Sequence, residues 1–185
     1  MDQQQLVKEC LKNRRASQKQ LYNLFAEGML GVCYRYTKSM SDAEDVLQEG
    51  FIKVFNKLHQ YNNEGELGGW IRRIMVTTAL NFLKRNAKYQ YDLGFDNTTL
   101  HPVAADNPEV QLDAKELASL IRQLPSGYQA IFNLHAVEGY THVEIGELLG
   151  ISEGTSRSQY ARARALLLTW IKKNYSDHKP QSYAQ

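Results

Sequence analysis

The stretch that decides the fold is THVEIGELLGISEGT, which spans residues 141–155. Thr141 and Glu144 have the spacing of a capping box, in which each side chain bonds the other residue's backbone amide, and this predicts the start of a helix. Gly150 allows a sharp turn, and Ser152 is a favourable N-cap for a second, longer helix. The stretch therefore predicts a helix-turn-helix.

The second helix of this motif has a packing side and an outward side. Gly146 is small where the two helices would cross, and Ile151 would fill the angle between them. The packing side is predicted to contain Ser156, Tyr160, Ala163 and Leu167. Helix N-terminal amides attract phosphate, and an outward basic side can enter a major groove. The predicted contacts to duplex DNA are Ser152, Glu153, Gly154, Thr155, Arg157, Ser158, Gln159 and Arg162. The alternative is an ordinary helical hairpin with a solvated basic face.

An acid-free basic helix is predicted from Leu67 to Gln90. Its apolar residues, Trp70 among them, recur at helical spacing, and we interpret Trp70 as a core residue. One-signed charge favours a polyanion partner, although a solvated face explains any single charge run. The basic residues of this helix are Arg72, Arg73, Lys84, Arg85 and Lys88.

The helix before it has the cleanest division between apolar and polar residues. Ser41 and Glu44 have capping-box spacing, which predicts the N-terminus. The apolar side is predicted to contain Ala43, Val46, Leu47, Phe51, Val54, Phe55 and Leu58, with the acidic residues outside. Earlier residues predict two helices broken near residues 13–16, with Leu24 beside the apolar side of the second.

Charge and turn-forming residues divide the chain into domains. Residues 91–125 carry 2 basic and 6 acidic residues, whereas residues 1–90 carry 14 and 9. Residues 92–108 lack helical periodicity and contain Gly94, two Pro, two Asn and two Thr, which predicts a flexible linker. We therefore predict an all-α fold of two small helical domains at 1–91 and 109–176, followed by a tail at 177–185. The second domain contains the helix-turn-helix.

The composition excludes several functional classes. There is no apolar run long enough to span a bilayer and no signal-peptide pattern, so we expect a cytoplasmic protein without membrane insertion. Cys10 and Cys33 are too few for a four-cysteine zinc site, and we interpret them as buried thiols. The five histidines have no ligand spacing. We therefore predict no enzymatic activity, no catalytic residue, no metal and no cofactor.

Taken together, the two halves resemble the extracytoplasmic-function (ECF, group IV) sigma factors of bacterial RNA polymerase. The resemblance covers nearly all of the chain except the linker and the tail. In the first half it rests on residues 42–55, DAEDVLQEGFIKVF, and 69–74, GWIRRI. In the second it rests on residues 124–125, 137–140, 144–145, 149–155 and 162–164.

The resemblance implies partners and roles for the first domain. It would bind core RNA polymerase, at the clamp helices of the beta-prime subunit, through Asp42, Asp45, Gln48 and Glu49. A solvated acidic face is the alternative for these four. The loop at 59–66 and the following helix would recognise and melt the minus-ten element, because strand separation needs cations for phosphate and a pocket for an unstacked base. The residues implied in this role are Tyr61, Asn62, Arg72, Arg73, Thr77, Lys84, Arg85 and Lys88.

The resemblance also implies roles for the second domain. It would read the duplex minus-thirty-five element of promoter DNA and rest on the beta flap, and an anti-sigma factor or another recruiting factor is a possible partner. Val76 and Thr77 replace a frequent Arg-Asn pair of the family, and Ser156 and Gln159 replace an apolar and a basic residue. The promoter sequence therefore does not transfer from the family.

The main alternative is a free-standing helix-turn-helix regulator that binds duplex DNA without polymerase. It accounts for residues 126–174 equally well and leaves the first 90 residues unexplained. A structural or adaptor protein gives no reason for an acid-free basic helix beside a groove-reading motif.

Overall fold

The computed structural model describes residues 3–62, 64–90 and 113–177, and all regular elements within these ranges are helical. The chain divides into two compact units, one from each half of the sequence. The predicted all-α class with two helical units is confirmed. The proposed linker at 92–108 lies outside the described residues, as does the proposed tail at 177–185 except for Asp177, which is the last residue of the final helix.

The described part of the first unit contains four α-helices. They are α1 (Gln3–Leu11), α2 (Arg15–Tyr34), α3 (Met40–Lys57) and α4 (Leu67–Gln90), with a 3₁₀ turn at Leu58–Gln60. The predicted break after α1 is confirmed, and Asn13 there has a left-handed φ of 56°. Glu9 forms ion pairs with Lys12 and Arg14, and these connect the end of α1 to the start of α2.

The core of the first unit lies between α2, α3 and α4. The predicted apolar side of α3 is confirmed, since all of its members are buried except Phe55, which is half-buried. Leu24 was expected beside the packed side of α2, but its side chain is 62% exposed. Gly50 of α3 lies so close to Met75 of α4 that an added Cβ would overlap the Met75 sulfur. The glycine therefore allows close contact between the two helices.

The N-terminus of α3 differs from the sequence prediction. Ser39, not Ser41, is the N-cap, and its Oγ accepts a hydrogen bond of 3.0 Å from the Asp42 amide. The buried Thr37 hydroxyl lies 3.3 Å from the Cys33 carbonyl and 3.2 Å from the Ser39 carbonyl. This contact ties the end of α2 to Ser39. The helix therefore begins directly after Ser39, at Met40, which is earlier than predicted.

Both cysteines are buried and unbridged, as expected. Burial raises the pKa of the Cys33 thiol to about 12 and also raises the pKa of Cys10. A thiol with a raised pKa is a poor nucleophile because it is almost entirely protonated near neutral pH.

The described part of the second unit contains four further α-helices. They are α5 (Ala114–Gln123), α6 (Ser126–Phe132), α7 (His142–Leu149) and α8 (Glu153–Asp177), with a π-helical turn at Asn133–Val137. The predicted break at Leu124-Pro125 is confirmed. Trp170 packs against a core cluster of buried residues from α5, its C-cap and α8. The members of this cluster are Leu120, Ile121, Leu124, Ala163 and Leu167.

The predicted helix-turn-helix is formed by α7 and α8. Thr141 and Glu144 make the reciprocal capping box, and the Ser152 Oγ accepts a hydrogen bond of 3.0 Å from the Thr155 amide. Gly150 has a left-handed φ of 73°, which an L side chain rarely adopts. A Cβ at Gly146 would lie 2.8 Å from the Ile151 carbonyl oxygen. The chain thus passes close over α7 at this glycine before it enters α8.

A stacked pair of histidines braces α7 against α8. The ring centroids of His135 and His142 are 4.2 Å apart. Those of His135 and Tyr160 are 4.6 Å apart, in an edge-on arrangement. His142 Nδ1 lies 2.9 Å from the Oγ of Ser156, which is fully buried on α8. Burial, followed by the charges of His135 and Arg157, lowers the pKa of His142, and Glu153 partly opposes this effect. The folded state therefore disfavours a charged imidazole at this position.

Within the described ranges, no helix is both long and apolar enough to cross a membrane. The same residues contain no group of three or more His, Cys, Asp or Glu side chains placed to hold a metal ion.

The Gly146→Ala substitution should destabilise the second unit by about 1–3 kcal/mol, because the new methyl meets backbone that cannot move independently. Gly154→Ala is the matched control. Its Cβ meets nothing closer than 3.8 Å in an exposed part of α8, and there alanine should stabilise the helix by about 0.5–1 kcal/mol. Thermal unfolding of the full chain, followed by Trp170 fluorescence in a Trp70→Phe background, measures both. Equal effects of the two substitutions would contradict the close crossing.

Acidification should destabilise the second unit through His142. Because its folded pKa lies below the ordinary value of 6.5, its contribution to stability is complete above pH 6.5. The contribution is lost as the pH falls from 6.5 through the lower folded pKa. In the same fluorescence assay, the fall in melting temperature between pH 7.5 and pH 5.5 should be smaller for His142→Gln than for the parent chain. An equal fall in both would show that His142 is not responsible.

Candidate nucleic-acid interface

Most residues of the predicted duplex-binding surface are exposed on α8 or at its N-terminus. Arg157, Ser158 and Arg162 are exposed, as are Ser152, Glu153 and Gly154 at the N-terminus of the helix. The predicted packing side is also confirmed, because Ser156, Ala163 and Leu167 are buried and Tyr160 is half-buried. The exposed residues at the N-terminus of α8 and its exposed arginines therefore belong to the same half of the helix.

Arg157 is exposed and already has an anionic partner. Its guanidinium lies 2.6 and 2.9 Å from Glu153 Oε1, one helical turn earlier. Exposed pairs of this spacing are weak, so a phosphate can displace the carboxylate at small cost. Arg162 is also exposed and has no ion pair among the described residues. Of these two predicted contacts, Arg162 can bind a phosphate without first breaking an ion pair with a described residue.

Gln159 and Thr155 are less available than predicted. Gln159 is half-buried, and its side-chain oxygen lies beside Gly127 at the start of α6. Thr155 is half-buried, and its Oγ1 is 2.8 Å from Ser152 Oγ. Both side chains therefore contribute to packing within the second unit. The packing of α6 on α8, which the sequence does not reveal, explains the difference for Gln159.

The basic residues of α4 do not all share one side. Arg73, Thr77 and Lys84 are exposed and recur at helical spacing, and Lys88 continues the series by position alone, since its side chain lies outside the description. Arg72 lies on another side of the helix and is half-buried. The Thr77 hydroxyl donates to the Arg73 carbonyl at 2.8 Å. The exposed series forms one stripe, which we call the basic stripe of α4.

The loop before α4 places two aromatic rings together. Tyr61 is half-buried, its hydroxyl donates to the Gly65 carbonyl at 2.7 Å, and its ring centroid is 5.6 Å from that of Trp70. Trp70 was predicted to be a core residue, but it is half-buried and lies against Tyr61. The Asn62 amide donates to Glu64 within the same loop at 2.8 Å. Partly exposed aromatic rings of this kind can stack on unpaired bases.

The acidic residues of α3 occupy one flank of that helix. Asp42, Asp45 and Glu49 recur at intervals of three and four residues, and Gln48 is exposed one turn after Asp45. Asp45 is exposed, whereas Asp42 and Glu49 are half-buried. This flank can meet a cationic protein surface.

Glu49 is paired within the chain itself. Its Oε1 lies 2.7 Å from Lys53 Nζ, and its Oε2 lies 2.7 Å from Arg85 Nη2 of α4. The hydrogen bonds from Arg85 and then Lys53 lower the pKa of the Glu49 carboxyl, and Glu49 in turn raises the pKa of Arg85. A predicted polymerase contact and a predicted DNA contact are therefore direct partners.

Three of these relations were missed in the sequence. The i, i+4 spacing of Glu49 and Lys53 was a signal that could have predicted their pairing. The Glu49–Arg85 pair joins residues 36 positions apart, and local sequence carries no signal for it. The contact of Trp70 with Tyr61 likewise depends on how the loop folds back onto α4.

The two units match two family models in order along the chain. The Sigma-70 region 2 model matches residues 21–89, and the Sigma-70, region 4 model matches residues 114–167. The first range contains most of α2, all of α3 and nearly all of α4, with the acidic flank and the basic stripe. The second contains α5 to α7 and the part of α8 that carries the predicted DNA contacts.

The chain is also similar to characterised relatives. It is 30% identical to ECF RNA polymerase sigma factor SigE of Mycolicibacterium smegmatis over 162 residues, which cover 85% of this chain and 63% of that protein. It is 29% identical to the ECF RNA polymerase sigma-E factor of Haemophilus influenzae, with 89% of this chain and 95% of that protein covered. The chain thus spans less than two thirds of the first relative and nearly all of the second.

Among solved structures, the fold is similar to the sigma factor RpoE of Bartonella quintana, solved in complex with the anti-sigma factor NepR. The TM-score is 0.53 at 19% identity, with 83% of this chain and 96% of that chain covered. At this identity the likeness supports the fold alone. Because Sigma-70 regions 2 and 4 match in order and together span most of the chain, the chain belongs to the sigma-70 family, and it is similar to ECF relatives over most of its sequence.

Proposed function

We propose that this chain binds core RNA polymerase, directs it to specific promoters and promotes opening of the DNA in transcription initiation. The observation that carries the proposal is the order of surfaces along the chain. An acidic flank, an aromatic loop and a basic stripe belong to the first unit, and a groove-reading motif belongs to the second. A free-standing duplex-binding regulator uses only the last of these.

The first unit, assigned to residues 1–91, docks on the beta-prime clamp helices and opens the minus-ten element. Asp42, Asp45, Gln48 and Glu49 form the polymerase contact. Phosphates of the separated strand bind the basic stripe of α4 and the neighbouring Arg85, and an unstacked base packs near Tyr61. Partial exposure of the Tyr61 and Trp70 rings, 5.6 Å apart, supports this role. Base stacking and phosphate contacts are enough to bind single-stranded DNA, because every nucleotide offers a phosphate and every base offers a ring face.

The second unit, assigned to residues 109–176, reads the minus-thirty-five element as duplex and rests on the beta flap. The N-terminus of α8 binds phosphate, and Arg157 and Arg162 contact base edges or phosphates. The residues 92–108 connect the two units, so that each can reach its own promoter element.

The remaining assignments follow from this mode of action. The chain acts in the cytoplasm, places the polymerase without catalysing a reaction itself, and belongs to group IV of the sigma factors. An anti-sigma factor or another recruiting factor controls its access to polymerase. The complex of the Bartonella sigma factor with NepR motivates this last assignment, since that sigma factor has a similar fold.

The purified full chain should confer promoter-dependent run-off transcription on core RNA polymerase. Asp45→Lys should weaken polymerase binding at least several-fold while duplex binding is retained, because it reverses an exposed charge of the acidic flank. Glu44→Lys is the matched control, since Glu44 is exposed on the same helix but outside that flank. DNA binding without run-off transcription would support the free-standing regulator instead.

Arg162→Ala should weaken duplex binding several-fold and reduce the slope of log affinity against log salt by about one. Arg157→Ala should have a smaller effect, because its guanidinium must first leave Glu153. Lys173→Ala, an exposed cation near the other end of α8, serves as the control. Fluorescence anisotropy with promoter duplex measures all three. An unchanged affinity and salt slope for Arg162→Ala would remove that residue from the interface.

A further inference from the structure

The Glu49–Arg85 ion pair crosses from α3 to α4 between two surfaces with different proposed ligands. Two contacts join the side chains, Nη2 to Oε2 at 2.7 Å and Nη1 to Oε1 at 3.4 Å. Two N–H groups of the guanidinium therefore face the two carboxylate oxygens, the same geometry that arginine would use for a phosphate. While Arg85 is paired with Glu49, these N–H groups are not available to a phosphate.

The pair can open at small cost because Glu49 has a second cation. Lys53 Nζ lies 2.7 Å from Glu49 Oε1 and also donates to the buried Thr78 hydroxyl at 3.3 Å. If Arg85 leaves, the carboxylate keeps Lys53 and is not left unpaired. The Arg85 side chain is 56% exposed, so water and ions reach the contact. Pairs with this exposure contribute little to stability and exchange readily.

We propose that Glu49 weakens DNA binding in the free chain because it forms an ion pair with Arg85. Polymerase competes for Glu49, and DNA competes for Arg85. A polymerase cation that takes Glu49 releases Arg85 to a backbone phosphate. By linkage, a phosphate on Arg85 makes Glu49 more available to polymerase by the same factor. The inference rests on the proposed function, which assigns Glu49 and Arg85 to those two ligands.

The test compares Glu49→Gln with Glu44→Gln in the full chain. Both remove one carboxylate from α3, but Glu44 is exposed and makes no ion pair with the described residues. The probe is a fluorescent oligothymidylate at low salt. Glu49→Gln should bind it about three- to fivefold more tightly, with a salt slope steeper by about 0.7, because one more arginine is available to phosphate. Glu44→Gln should change the affinity by less than about twofold.

The Arg85→Gln variants identify the source of the gain. In an Arg85→Gln background, Glu49→Gln should no longer tighten binding, since the gained contact is absent. Thermal unfolding of each variant shows whether the fold is retained. An equal gain from Glu44→Gln and Glu49→Gln would overturn the proposal, because net charge would explain it. A gain that persists without Arg85, or no oligonucleotide binding by any variant at low salt, would also overturn it.

A second readout separates this inference from the proposed function. In the absence of DNA, Arg85→Gln should raise affinity for core polymerase about two- to fivefold, whereas Glu49→Gln should lower it. A merely structural pair would make both substitutions act in the same direction. If the parent chain supports run-off transcription but these signs are not opposite, the internal competition is wrong and the sigma-factor function stands. If the parent chain does not bind polymerase, the proposed function fails, and the oligonucleotide data alone decide the restraint of Arg85.

Discussion

Each unit has one close helix crossing at a glycine, and in the second unit backbone fills the space that a side chain would need. In the first unit, Gly50 lets the Met75 side chain pack directly onto α3. In the second, Gly146 admits the backbone at Ile151 over α7, so that α8 can start immediately after the turn. Small helical units have little core to lose, and a separation of even one methyl group at these crossings would expose apolar surface in both helices. The Gly50 contact lies between the two helices that carry the acidic flank and the basic stripe, and the Gly146 contact lies at the turn before α8.

The functional surfaces of this sigma factor carry charges that are already partly paired. Glu49 holds Lys53 and Arg85, and Glu153 holds Arg157. These pairs are exposed enough for a polyanion or a protein to replace one member, and replacement of one counterion by another is less costly than desolvating a bare charge. Under the proposed function, binding at these pairs exchanges one ionic partner for another. Arg162 has no such pair among the described residues.

Local signals predicted the helical elements well and their contacts poorly. The Thr141–Glu144 capping box, the Gly150 turn and the Ser152 cap involve residues within a few positions of each other, so sequence spacing was sufficient. The same reasoning failed at Ser41, because the Thr37 hydroxyl contacts the Ser39 carbonyl and helps to select the earlier serine as cap. Trp70 was assigned to the core from its type, yet the preceding loop brings Tyr61 against it near the surface. The positions of the linker and the individual binding roles stay predictions.

The sequence by itself determined the all-α class, the helix-turn-helix and the apolar sides of α3 and α8, because helical periodicity and capping act over one or two turns. It also carried the family resemblance, which both matched regions support. Only the tertiary structure decided that Glu49 meets Arg85, that Gln159 packs beside α6 and that His142 stacks on His135. These contacts join residues distant in sequence or depend on the angle between helices, and that angle is set by the whole packed unit.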